Sequence, residues 1–188
     1  MAPQLGRSHL RAVIRWRVSH MSSATQPTIE MPFELESLAK AVNYQRWVSD
    51  AIQPYMGKRI LEVGAGIGNM SQWLPVRERL VLTETEPALL DIMRQRVPDY
   101  FGAGAAKVSV TPLDLSTADD AHRLEGERFD TIVSFNVLEH IEDDRAAIGR
   151  LLDMLRASNQ PVRRLVSFVP AQALSLIHIS EPTRLRRI

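Results

Sequence analysis

The stretch that most constrains this chain is residues 59–69, RILEVGAGIGN. Ile60, Leu61 and Val63 make a short apolar run of the kind that a buried parallel strand requires. Gly64, Gly66 and Gly68 follow at alternate positions, with only Ala65 between the first two. Glycine is needed where the backbone must take positive φ, or where a ligand must touch it without a Cβ in the way. The spacing predicts a strand, a tight turn and then a helix whose free N–H groups and positive dipole end face whatever is bound. A plain strand-to-helix turn without a ligand is the simpler alternative.

The 188 residues suit one domain, and 45% hydrophobic with 24% charged residues is ordinary for a globular chain. The absence of cysteine excludes disulfides and thiolate metal sites, and no metal site is expected. No apolar run approaches a membrane span and no secretory leader is visible, so a cytoplasmic location is the expectation. The net charge of +1 averages unlike segments. Residues 1–20 carry four arginines and no acid, and residues 174–188 carry three arginines and one acid. Without those ends, residues 21–173 hold 16 basic and 21 acidic residues, a balance that argues against a nucleic-acid partner.

Residues 1–30 read as a disordered or non-native extension. A transit peptide is the alternative for the basic amphipathic first twenty residues, and Met21 or Met31 is the expected true start. Residues 34–56 predict one helix with Leu35, Leu38, Val42, Trp47, Val48 and Ala51 on its apolar stripe. Tyr44 and Trp47 are expected core contacts, on a helix that could also cover a ligand. After the glycine turn a short helix is expected over 69–74, stopped by Pro75. Further strands are expected at 80–83, 107–111, 129–135 and 165–169, with helices at 87–97, 119–124 and 142–156. Alternating strands and helices predict a doubly wound, Rossmann-like α/β sheet, parallel and in the order 3-2-1-4-5.

In such a sheet, ligands bind beyond the carboxyl ends of the strands. Glu84 stands there, 20 residues after Gly64, the spacing of a carboxylate that receives ribose hydroxyls. Asp114 ends the third strand and Asn136 follows the fourth. Each alone has a plain reading, as a helix-start acid, a turn former or a cap. Four strand ends facing the same side argue for a site.

Over roughly residues 34–172 the chain resembles the class I S-adenosylmethionine-dependent methyltransferases. ILEVGAGIGN is similar to that family's first motif, with Glu62 as its acidic residue and Gly64, Ala65, Gly66, Gly68 and Asn69 as its turn. TETEP is similar to the second, with Glu84 on the ribose. LDLS resembles the third, with Asp114 at the adenine amino group and Leu115 packed on the ring. FDTIVSFNVLEHI resembles the fourth-strand motif that carries Asn136. The resemblance implies S-adenosylmethionine as cofactor and methyl transfer to a small-molecule acceptor (O, N or C). His140 is the candidate general base, with a structural loop role as its alternative, and Glu139 is similarly placed. A nicotinamide-dependent oxidoreductase and a non-catalytic binding module are the competing readings. Against the first of these, the turn is GxGxG rather than GxGxxG.

The resemblance also predicts a sixth and a seventh strand after strand five, for which the remaining chain is too short. Its end, LSLIHISEPTR (residues 174–184), resembles a translated transposase adaptor from sequencing-library preparation. Residue 173 is therefore the expected end of an incomplete methyltransferase domain beginning at 31. Residues 174–188 are expected to be a non-native tail, the alternative being a genuine strand LSLIHI.

Overall fold

The computed structural model describes residues 33–169. The extension over 1–30 and the tail over 174–188 lie outside the described residues. Five strands form one parallel sheet in the order β3-β2-β1-β4-β5, as the sequence pattern predicts. They are β1 (Arg59–Val63), β2 (Arg79–Glu84), β3 (Val108–Pro112), β4 (Thr131–Phe135) and β5 (Arg164–Phe168). The helices are α1 (Phe33–Lys40), α2 (Val42–Ile52), α3 (Pro87–Phe101), α4 (Ala118–His122) and α5 (Asp144–Ala157).

Alternation along the strands splits the core into two layers. Leu61, Val63, Val81 and Ile132 face α4 and α5 and pack with Ala121, Ala147, Leu151 and Leu155. Ile60, Leu80, Leu82, Val133 and Phe135 face the other way, toward Val48 and Ile52 of α2 and Leu90 and Met93 of α3. Covered on both faces, β4 is buried along its whole length, whereas β5, at the edge, is mostly half-buried. Each large apolar side chain sealed this way contributes roughly 1.5–3 kcal/mol.

The amino ends of the strands form a polar clamp. The Asp130 carboxylate accepts from the Lys58 and Arg59 amides at 2.8 and 3.1 Å, and the Thr131 hydroxyl accepts from the Gly57 amide at 3.0 Å. A Cβ on Gly57 would lie 1.9 Å from Asp130 Oδ1, so glycine is required at that crossing. Beside it, Arg79 bonds both Glu127 carboxylate oxygens, at 2.8 and 2.9 Å. The Arg79 hydrogen bond is the main cause that holds the Glu127 carboxyl below its usual range.

Three local expectations are corrected. The opening helix is broken at Ala41 (φ −87°, ψ 53°) and closes in a 3₁₀ turn at Gln53–Tyr55. Its buried face is Gln45, Val48, Ser49 and Ile52, while Val42 and Trp47 are 47% and 62% exposed. The six residues between Gly68 and Pro75 form no α-helix and give a single 3₁₀ turn at Ser71–Trp73. The third helix runs past its expected end to Phe101 with Pro98 inside, and Gly102 (φ +48°) ends it by donating its amide to the Pro98 carbonyl.

Candidate functional site

Of the polar residues at the carboxyl ends of the strands, Glu84 is bonded directly to the glycine turn. Gly64, Gly66 and Gly68 all take positive φ, at 66°, 57° and 85°. A Cβ on Gly64 would meet Val137 Cγ2 at 2.4 Å, and one on Gly66 would meet Leu35 Cδ2 at 3.0 Å. The turn therefore lies beneath the loop after β4 and beneath α1, and the glycines are demanded as much by these side chains as by backbone φ. Asn69, buried, donates to the Leu35 carbonyl at 2.8 Å and so fastens α1 over the turn.

Three amides of the turn are already engaged. Ala65 donates to the Thr83 carbonyl at 2.8 Å, Gly68 to the Ala65 carbonyl at 2.9 Å, and Gly66 to the Glu84 carboxylate at 2.9 Å. With these amides engaged and no helix starting after the turn, the expected helix dipole aimed at an anion is absent. Two carboxylates border the turn instead. Glu84, half-buried, also accepts from the Thr85 amide at 2.7 Å. Glu62 is 1% exposed, and burial, opposed by Ser71 and reinforced by Glu84, pushes its carboxyl up to about 7. Its Oε2 and the hydroxyl of fully buried Ser71, which acts on the carboxyl, are each without a hydrogen-bond partner. Buried orphaned polar atoms are rare, because each costs roughly 1–3 kcal/mol. Two carboxylates bordering the turn suit a cationic group better than a pyrophosphate.

The remaining expected residues divide. Asp114 stands half-exposed after β3; its Oδ1 accepts from the Ser116 amide at 2.8 Å, a turn-forming bond that leaves its other oxygen for a ligand. Leu115, by contrast, is 3% exposed within the α4–α5 core layer. Asn136 adopts φ 54°, donates its amide to the Phe168 carbonyl at 2.8 Å, and keeps a buried Oδ1 without a partner. His140 is exposed in the 3₁₀ turn Leu138–His140 and is not brought into contact with the glycine turn.

Sequence reasoning missed the residue that ties the covering helix down. Gln45, fully buried, accepts from Trp73 Nε1 at 2.9 Å and Gln72 Nε2 at 3.2 Å and donates to the Leu38 carbonyl. Arg46 lies over the Trp73 ring, 5.3 Å from its centroid. One signal could have found it: Gln45, Val48, Ser49 and Ile52 share the i, i+3, i+4, i+7 spacing of a single helix face.

Residues 61–159 match the family model described as a methyltransferase domain. The chain belongs to that family. The methyltransferase domain is 29% identical over 158 residues to the reducing polyketide synthase Preu2 of Preussia isomera, covering 81% of this chain and 7% of that protein. The chain thus spans about 7% of the length of that curated relative. Among solved structures, EvdMO1 matches at 23% identity and TM-score 0.47, over 61% of this chain and 26% of that one. The glycopeptide N-methyltransferase MtfA complexed with sinefungin matches at 18% identity and TM-score 0.46, over 66% and 52%. Among the described residues of this methyltransferase domain, no helix is long and apolar enough to cross a membrane.

Proposed function

We propose that the chain uses S-adenosylmethionine to methylate a small-molecule acceptor at the carboxyl ends of β1 to β4. The observation that carries this reading is the chemistry of the glycine turn: the Ala65, Gly66 and Gly68 amides are bonded within the protein, and the buried Glu62 and half-buried Glu84 carboxylates border it. When bound, S-adenosylmethionine supplies an electrophilic methyl group on a sulfonium. Glu84 accepts the ribose hydroxyls, Asp114 accepts from the adenine amino group, and Glu62 with Ser71 receives the ammonium of the amino-acid end. Asn136 offers its orphaned Oδ1 at the end of β4. Leu35 and Val137 cover the turn and exclude water, so the chain's main contribution is alignment of donor and acceptor. Where the acceptor must lose a proton, His140, in the exposed turn after β4, is the candidate base.

Isothermal calorimetry with S-adenosylmethionine tests this. The full chain should bind it, and Glu84→Ala should weaken binding by about tenfold or more, the loss of a charge-assisted hydrogen-bond pair. Unchanged affinity in Glu84→Ala would remove the site assignment. A thermal shift with NADH and none with S-adenosylhomocysteine would instead establish the nicotinamide reading.

A further inference from the structure

Three aromatic side chains form a row at the rim of the core: Tyr44 and Phe168 pack on it only partly and Trp47 stands outside it. Trp47 is 62% exposed on α2, and three residues away on the same helix face its ring stands 6.4 Å from that of Tyr44. Tyr44 in turn meets Phe168, the last residue of β5, edge-on at 6.2 Å and 76°. The Asn136 amide bonds the Phe168 carbonyl, so this aromatic row abuts the loop after β4, whose Val137 lies over Gly64. The row therefore borders the methyl-transfer end of the site, opposite Asp114 on the far side of β1.

The charge around the row is one-sided. Between Asn136 and Asp144 the chain has Glu139, Glu142, Asp143 and Asp144 against His140, and Asp143 is engaged as the cap of α5. Glu139 is exposed and near enough to Tyr44 to act, after burial, in raising the phenol. Arg46, beside Trp47 in sequence, is turned away onto Trp73, and Lys40 is paired with Glu36 at 2.8 Å. Arg145 is the first cation beyond the acidic run. Aromatic faces beside an unneutralised carboxylate recognise organic cations, through the ring quadrupole and direct charge.

We propose that Tyr44, Trp47, Phe168 and Glu139 form the acceptor-recognition wall, and that it holds the ammonium end of an amine-bearing small molecule. This deepens the methyl-transfer reading and rests on it. The ammonium is a handle and not the methylated atom, because a protonated nitrogen has no lone pair to give to the methyl carbon.

Two probes matched in ring and chain length but opposite in charge, phenethylammonium and 3-phenylpropionate, test it by calorimetry on the full chain with S-adenosylhomocysteine present. The wall should favour the amine by about tenfold, with ring and carboxylate contributing roughly threefold each. Trp47→Ala should weaken the amine about threefold. Glu139→Gln should reduce the preference to about threefold, and Glu139→Lys, at the same exposed position, should abolish it. S-Adenosylhomocysteine affinity should be unchanged in all three variants. Equal or tighter binding of phenylpropionate, no binding of either probe, or a preference that survives Glu139→Lys overturns the proposal. Failure of the unaltered chain to bind S-adenosylhomocysteine is a separate result, and it strikes the cofactor reading instead.

Discussion

Replacing Glu62 by glutamine should stabilise the cofactor-free fold above neutrality while weakening the cofactor site. The carboxyl is raised from its ordinary 4.5 to about 7, chiefly by burial. Below 4.5 it is neutral in both folded and unfolded chains and costs nothing. As pH rises from there, the unfolded chain releases the proton while the folded one keeps it, so stability is lost until the folded group also ionises near 7. That interval, at 1.36 kcal/mol per pH unit, amounts to about 3 kcal/mol at pH 8. Glutamine has nearly the same shape and no charge to desolvate, so Glu62→Gln escapes the loss. For a chain of this size, about 3 kcal/mol corresponds to roughly 6–12 °C in Tm. Differential scanning calorimetry without cofactor should find variant and parent close together near pH 5 and the variant higher at pH 8. S-Adenosylmethionine should bind the variant more weakly. A gap between the two proteins that is the same at both pH values, or a variant that melts lower at pH 8, would refute the reasoning.

Other substitutions probe the frame. Gln45→Leu removes three hydrogen bonds at a fully buried position and should cost about 2–4 kcal/mol, read as a lower midpoint in urea denaturation. Gly64→Ala should cost about 2–5 kcal/mol, from left-handed backbone strain and collision with Val137. In a double-mutant cycle, Val137→Ala should return the collision part only. Glu127→Gln should cost about 1 kcal/mol near neutrality, given the partial exposure of its pairing with Arg79. Because that carboxyl is held low, its contribution is present above the carboxylate range and is lost as pH falls through its folded value, so the gap to the parent should close in acid.

The sheet was legible because its signal is repeated. Apolar runs recur at each of the five strands, and β5 is displaced by only one residue from expectation. The glycine turn and Glu84 were legible because positive φ and strand-end spacing leave few other residue choices. The covering helix was misread for a physical reason: Gln45 is buried by virtue of its hydrogen bonds, which hydropathy does not register, and Trp47 is apolar yet exposed. The absent helix after the turn follows from length, since Gly68 and Pro75 leave too few residues for stable α-helical turns. The end of α3 was placed too early because the helix continues through Pro98 and is stopped by Gly102 at φ +48°. The burial of Leu115 among α4 and α5 residues was not legible either, because it depends on packing between elements distant in sequence.

The most direct test of the central claim is a crystal structure of the chain with S-adenosylhomocysteine. The account predicts ribose hydroxyls within about 3 Å of the Glu84 carboxylate, the distance of a charge-assisted hydrogen bond. It also predicts the amino group against Glu62 and Ser71, and the adenine edge beside Asp114. Density for the ligand elsewhere on the sheet, or a ribose that leaves Glu84 bonded only to Gly66 and Thr85, would contradict it.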